Sequence, residues 1–202
     1  QFGYAPDYVT SDVYFDPRNR AFIRDRFADR DWSSALTIRD GGRWLVRPFE
    51  AAVRQAFPDF SGFNRAAGFM GCKVAFDERG GAYTLVRLKR ANEEQPSALL
   101  YTPDDGMNWQ VLELPGGSFD IENFSGHNRF SGPPAILSYE FRAKHPGAKW
   151  GAYHNLMLRV PQVAPEGTLS FADPVLISDS CIGACQHSGA PPSLATLNGK
   201  TH

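Results

Sequence analysis

The segment YTPDDGMNWQVLEL, Tyr101 to Leu114, decides how the rest of the chain is read. Strand-forming residues stand on both sides of a short polar stretch. Within that stretch an Asp carboxylate can accept turn amides, a Gly permits positive φ, and a Trp can pack into a core. The segment therefore reads as a hairpin joining two strands. A decayed copy of the same spacing stands earlier in TIRDGGRW, Thr37 to Trp44, one residue shorter between Asp and Trp. A hairpin written twice directs attention to internal repeats.

Three further pairs of segments repeat. DVYFDPRNRAFIRDR from Asp12 matches KVAFDERGGAYTLVRL from Lys73, with Val13, Phe15, Asp16, Arg18 and Ala21 falling on Val74, Phe76, Asp77, Arg79 and Ala82 at an offset of 61. Both read as strand, tight turn, strand. FSGFNRAAG, Phe60 to Gly68, matches FSGHNRFSG, Phe124 to Gly132, at an offset of 64, and the second copy has His127 in place of Phe63. SGPPAIL from Ser131 matches SGAPPSL from Ser188 at an offset of 57. The latter runs into ATLNGKTH, a strand followed by an Asn-Gly hairpin turn. The offsets agree on a unit of about 60 residues. Helix signal is confined to PFEAAVRQAF, Pro48 to Phe57, where Pro opens an apolar spacing of helical period.

Length and composition suit this reading. The chain has 202 residues with 19 Gly and 15 Pro, a globular and turn-rich composition. A formal net charge of −1 provides no basic field for a nucleic-acid partner. The arginines Arg18, Arg20, Arg24 and Arg26 alternate with aspartates and read as a solvated, self-neutralising surface. No apolar run reaches the length of a membrane span, and no signal peptide is visible. Cys72, Cys181 and Cys185 complete no zinc pattern, so no metal or cofactor is expected, and cysteine usage leaves the compartment open.

TPDDGMNW resembles the Asp-box of the BNR or sialidase-like β-propellers, with Thr102, Asp104, Gly106 and Trp109 at the matching positions and Asn108 in place of the usual Thr. The resemblance and the period together imply an all-β architecture. It would be a β-propeller of four-stranded blades, with units at roughly 9–66, 67–130 and 131–187 and the start of a further blade at 188–202. About three blades do not close a ring, so the expectation is one propeller segment over 1–202, cut from a longer chain. The alternative is a β-sandwich. In the family the Asp-box is structural and lies on the face away from the active site.

In such a propeller the segments leading into successive innermost strands converge beside the axis. FSGFNRAAG, FSGHNRFSG and IGACQHSG would be three of them. They would bring together Asn64, Arg65, His127, Asn128, Arg129, Gln186 and His187. Arginine forks match carboxylates, and histidine can carry a proton near neutrality. The GHN at Gly126 to Asn128 resembles a motif of propeller-type ulvan and related uronate lyases, and the resemblance carries over to His127 as a catalytic residue. The expected partner is accordingly an acidic polysaccharide or oligosaccharide. His127 and His187 would act as base or acid, Tyr139 as proton donor, and Arg129 and Arg65 would neutralise the uronate carboxylate. Asn64, Asn128 and Gln186 would bind substrate. The expected setting is secreted or periplasmic. Two other readings stay open: a sialidase-like hydrolase, for which the Arg-Ile-Pro signature is absent, and a non-catalytic glycan- or protein-binding propeller. YEFRAKHPGAKWGAYHN, with Tyr139, His145, Tyr153 and His154, reads as a long loop with flanking strand ends, whose aromatics could stack on sugar rings. Asp120 and Glu122 form a carboxylate pair just ahead of the His127 segment.

Overall fold

The structure is a computed structural model that describes residues 13–24, 35–63, 74–91, 96–122, 133–144, 152–182, 196–197 and 200–201. Its strands follow the alternation read from the sequence. β1 (Val13–Phe15), β2 (Ala21–Ile23), β3 (Ala35–Asp40) and β4 (Arg43–Pro48) form one antiparallel sheet in chain order. Helix α1 (Glu50–Ala56) follows, within the stretch whose spacing predicts it. Glu50 in its first turn accepts from Arg54 in its last at 2.6 Å, and Val53 is buried beneath. The second sheet contains β5 (Phe60–Phe63), β6 (Val74–Phe76), β7 (Ala82–Arg90), β8 (Ser97–Thr102) and β9 (Gln110–Leu114). Both β5 and β6 pair with β7, β5 against its last residues and β6 against its first.

The third sheet begins with β10 (Gly117–Glu122), β11 (Ala135–Lys144) and β12 (Ala152–Arg159). A separate hairpin, β13 (Pro161–Val163) and β14 (Leu169–Phe171), precedes its last strand, β15 (Val175–Ile182). Finally β16 (Thr196–Leu197) and β17 (Lys200–Thr201) pair across the Asn-Gly stretch, as the turn chemistry predicts. The chain is therefore mostly β, in antiparallel sheets, as expected. Among the described residues the strands form neither a closed barrel nor a closed ring of sheets.

Alternation gives each sheet two distinct faces, because successive side chains point to opposite sides, and the second sheet buries both. Phe22, Leu36 and Ile38 of the first sheet meet Val74, Phe76 and Ala82 of the second in one cluster, with Phe22 and Phe76 edge to face at 4.8 Å. On the other face of the second sheet, Ala75, Tyr83, Leu85, Leu99 and Tyr101 meet Ile136 of the third and Leu169 of the β13–β14 hairpin. The three sheets thus stack in chain order. Helix α1 closes one flank: Phe49, Val53 and Phe57 pack with Phe60, Phe63, Val86, Leu88 and Leu100.

The repeated turns are built alike. Asp16 Oδ1 accepts the backbone N–H groups of Arg18 at 3.0 Å and Arg20 at 2.7 Å. Asp77 Oδ1 accepts those of Arg79 at 2.9 Å and Gly81 at 2.8 Å. The positive φ of Asn19, 61°, is matched by that of Gly80, 88°. An Asx turn explains why the aspartate recurs 61 positions on. The β8–β9 turn satisfies itself in the manner its sequence suggests. Thr102 Oγ1 accepts the Gly106 N–H at 2.8 Å and donates to Asp104 Oδ1 at 3.0 Å. Asn108 donates its backbone N–H to Asp104 Oδ1 at 2.8 Å and its amide to Oδ2 at 2.6 Å. Asn at that position therefore holds both carboxylate oxygens. Trp109 turns inward and meets Phe49 edge to face at 5.4 Å.

The next residue, Asp105, joins two sheets. Arg20 grips its carboxylate with both terminal nitrogens at 2.6 and 2.7 Å, while its Nε donates to Asp16 Oδ2 at 2.8 Å. Arg47 Nε donates to the Asp105 carbonyl at 3.0 Å. This corrects the reading of the Arg18–Arg26 stretch as solvated surface. Arg18 is exposed, but Arg20 is largely buried and Arg24 is buried outright, its Nη1 donating to Thr84 Oγ1 at 2.9 Å across the sheet interface. Arg26 lies outside the described residues.

Two outcomes test this account. A Cβ on Gly106, at φ +79°, would lie 2.5 Å from Arg47 Cβ, so Gly106→Ala should cost about 1–3 kcal/mol in urea unfolding. The Arg20 guanidinium holds the Asp105 carboxyl below its ordinary value of 3.8. A lowered carboxylate pKa contributes stability that is complete above 3.8 and is lost as the pH falls through the folded-state value. Asp105→Asn should therefore lower stability at neutral pH and flatten the acid limb of an unfolding curve taken against pH.

Candidate functional site

Strand direction gives the stack two ends. The turns at Asp16, Gly41–Gly42 and Asp77, the Thr102–Trp109 turn and the β13–β14 hairpin lie at one of them. Side-chain contacts tie these turns together. Arg20 reaches Asp105 from the first sheet to the second. Gln110 Oε1 accepts the Leu169 N–H at 2.8 Å, and its amide donates to the Gly167 carbonyl, from the second sheet to the β13–β14 hairpin. The opposite end receives the finish of β4 at Pro48, of β9 at Leu114 and of β15 at Ile182.

The expected site residues distribute unevenly over this frame. Asn64, Arg65, His127, Asn128, Arg129, Gln186 and His187 lie outside the described residues, as do His145 and Trp150. The strands leading into the three segments are described, and they are not in equivalent positions. The first copy of the repeat begins as strand β5, with Phe60 paired to Arg90 at the end opposite the Thr102–Trp109 turn. The second copy begins two residues after Glu122, whose partner is Ala135, the first residue of β11, at the same end as the Thr102–Trp109 turn. The third follows Ile182, paired with Tyr153, at the opposite end again. Sequence likeness between the first two copies therefore does not translate into likeness of their entry points.

Tyr139 is described, and its surroundings correct the long-loop reading of residues 139–155. β11 and β12 run through that stretch and pair as far as Lys144 with Ala152, leaving only 145–151 outside them. The pairing sets Phe141 across from His154 and Tyr139 across from Leu156, all on the face turned away from the second sheet. Tyr139 is 7% exposed and His154 8%. Their rings meet edge to face at 5.3 Å, and Phe141 closes the other side of the imidazole at 6.1 Å while itself staying exposed. The Cα partner of His154 on its other flank is Cys181. One residue beyond Cys181, Ile182 leads into the segment that carries His187. A phenol, an imidazole and an exposed aromatic ring thus share one strand pair, toward the end away from the Thr102–Trp109 turn. They are suited to proton transfer and to stacking on a sugar ring.

Sequence reasoning missed two polar features in the interior. One is Arg24, whose guanidinium also lies 5.9 Å from the centre of the Phe49 ring. Its alternation with aspartates concealed it. The other is a buried pair of phenols. Tyr83 Oη donates to Asp77 Oδ2 at 3.2 Å, and the Tyr83 and Tyr101 rings lie 4.5 Å apart. Burial first, and then the Asp77 charge, push both phenols above their ordinary value of 10.0. In the third sheet Arg159 is buried as well, donating to Ser138 Oγ at 3.1 Å and paired with Glu140.

Among the described residues no group of three His, Cys, Asp or Glu side chains is arranged to hold a metal ion. No helix among them is long and apolar enough to cross a membrane. Comparison of the chain with protein-family models, with curated proteins and with solved structures finds no match in any of the three.

The phenol pair yields an alkaline expectation. Tyr83 and Tyr101 hold their protons more tightly in the folded protein than in the unfolded chain, where they ionise near 10, so stability falls as the pH rises above 10. Absorbance titration of the folded protein should show these two tyrosines ionising above the ordinary tyrosine range, and Tyr83→Phe should remove part of the alkaline loss.

Proposed function

We propose that the chain is a segment of a sialidase-like β-propeller that processes an acidic polysaccharide, by β-elimination at a uronate. The observation that carries the chemistry is the Tyr139–His154 pair at 5.3 Å, held away from the Asp-box end. The architecture is supported by three successive sheets stacked in chain order, two of them built on the same Asx turn, and by the hydrogen-bonded Thr102–Asp104–Asn108 turn.

In this reading an arginine, Arg65 or Arg129, neutralises the uronate carboxylate and so acidifies the C5 proton. An imidazole takes that proton, from His127, His187 or His154. The Tyr139 hydroxyl protonates the departing glycosidic oxygen, and a C4–C5 double bond is left in the product. The electron pair of the C5–H bond forms the new π bond, and the C4–O pair leaves with the alcohol, so no oxidant is needed. Phe141 offers its exposed ring to the sugar.

The test is turnover of uronate-containing polysaccharides, followed by the ultraviolet absorbance of the unsaturated product. Tyr139→Phe and His154→Ala should each lower kcat by about 10²–10⁴-fold while binding is kept. Reducing ends without ultraviolet absorbance, or cleavage of a sialoside, would point to a hydrolase. Binding without turnover would assign the chain to the non-catalytic glycan-binding class.

A further inference from the structure

One cross-strand row of the first sheet runs Phe15, Ala21, Arg39, Trp44. Residues paired directly across antiparallel strands project to the same side, so these four share a face. It is opposite the face that carries Phe22, Leu36 and Ile38, which packs on the second sheet. Large rings stand on the two outer strands of the row and a small residue stands between them. Phe15 on β1 is 46% exposed and Trp44 on β4 is 42% exposed, with Ala21 on β2. They enclose a cleft of about 490 Å³, within the range of roughly 300–1,000 Å³ that small-ligand sites adopt. Asn19 and the Gly41–Gly42 turn border it. A Cβ on either glycine would meet nothing within 4 Å, so the turn leaves the cleft open.

Charge in this cleft is one-sided. Two arginines line it, Arg20 and Arg39, and no carboxylate does. The Arg20 guanidinium is committed to Asp16 and Asp105. Arg39 is exposed, and its guanidinium lies over the Trp44 ring, 5.5 Å from the centre. Among the described residues no carboxylate forms an ion pair with it. The second sheet shows what this cation excludes. The corresponding row there is Phe76, Ala82 and Thr102. Phe76 and Ala82 pack beneath the first sheet, and Thr102, in the position of Arg39, is fully buried. An apolar sheet laid over the Phe15–Trp44 row would bury the Arg39 charge without a counter-charge, which is costly. An anionic ligand supplies one.

We infer that the cleft binds an acidic saccharide, with a carboxylate on Arg39 and the apolar C–H face of a sugar ring stacked on Trp44. A planar guanidinium matches a carboxylate with two parallel hydrogen bonds. Its place over the indole sets that charge beside a stacking surface, so a ligand with a carboxylate attached directly to a ring engages both. A uronate is built in that way. The Asn19 side-chain amide offers both a donor and an acceptor to its hydroxyls. Tyr139 and His154 belong to the third sheet, and the second sheet lies between them and this cleft. The cleft therefore holds a polymer and takes no part in cleaving it. The choice of a saccharide over another carboxylate rests on the function proposed above, whereas the cleft and its cation do not.

Nuclear magnetic resonance titration of the chain with short oligosaccharides of galacturonate, glucuronate and mannuronate tests this, with turnover followed in parallel. The Trp44 indole N–H signal, assigned by its loss in Trp44→Phe, and the Gly41 and Gly42 amide signals should move with at least one of the three. The neutral, carboxyl-reduced form of that oligosaccharide should bind about tenfold more weakly, and Arg39→Gln should weaken the acidic form to a similar degree. Trp44→Ala, read at the glycine signals, should also cost about tenfold, and Trp44→Phe should keep most of the affinity because a ring remains. If Trp44→Ala fails to fold, Arg39→Gln and the neutral oligosaccharide decide the matter. Signals that stay still with every acidic probe would overturn the inference, as would equal binding of the neutral form. Polyglutamate bound as tightly as the uronate would overturn the assignment to a saccharide. Movement of these signals without turnover leaves this inference standing and removes the proposed chemistry. Turnover with these signals silent does the reverse.

Discussion

Arg20 carries the constraint on which the stacking depends. Its backbone N–H completes the Asp16 turn, its Nε holds the second oxygen of the same carboxylate, and its remaining nitrogens grip Asp105 of the next sheet. One side chain thus fixes a turn within one sheet and the position of a turn in another. A bidentate guanidinium–carboxylate pair fixes direction as well as distance. That is what two twisted sheets need when their contact is otherwise apolar and non-directional. Arg24, a few residues on, extends the same fixation into the interior through Thr84.

Repetition in this molecule acts through the backbone. The Asp16 and Asp77 turns accept amides two and four residues on with the same oxygen, and each places a left-handed residue three positions after the aspartate. The side chains that follow differ by design of the interface. Phe22 stands where Tyr83 does in the second sheet, and Arg20 where Gly81 does. The first sheet spends the second aspartate oxygen on an arginine that leaves the sheet, and the second sheet spends it on a buried phenol. A shared turn thus supports two different couplings.

The engaged turns and the Tyr139–His154 pair separate along the length of the strands. The self-satisfied turns collect at one end, where the carboxylates of Asp16, Asp77, Asp104 and Asp105 are each engaged by their own sheet or the next one. The Tyr139–His154 pair lies toward the other end, beside an exposed aromatic ring. Strand ends free of such turns are where variable segments can converge on a substrate. Beside His154 run the last residues of β15, Cys181 and Ile182.

The amino-acid sequence alone determined the β character, the position of α1, the two tight turns at Asp16 and Asp77 and the Tyr101–Leu114 hairpin. Each of these is a local matter of alternation, turn chemistry or cap composition, written within a few consecutive residues. What only the tertiary structure decided is what lies across a gap in the chain. The reading of the arginine stretch as surface failed because burial of Arg20 and Arg24 depends on a carboxylate and a hydroxyl more than fifty positions away. The likeness of Phe60–Gly68 to Phe124–Gly132 said nothing of register, and register sets the two entry points at opposite ends of their sheets. His154 drew notice only as one aromatic in a long loop. Its pairing with Tyr139 required strands long enough to bring positions 139 and 154 onto one face, and that length comes from cross-strand hydrogen bonding rather than from any local pattern.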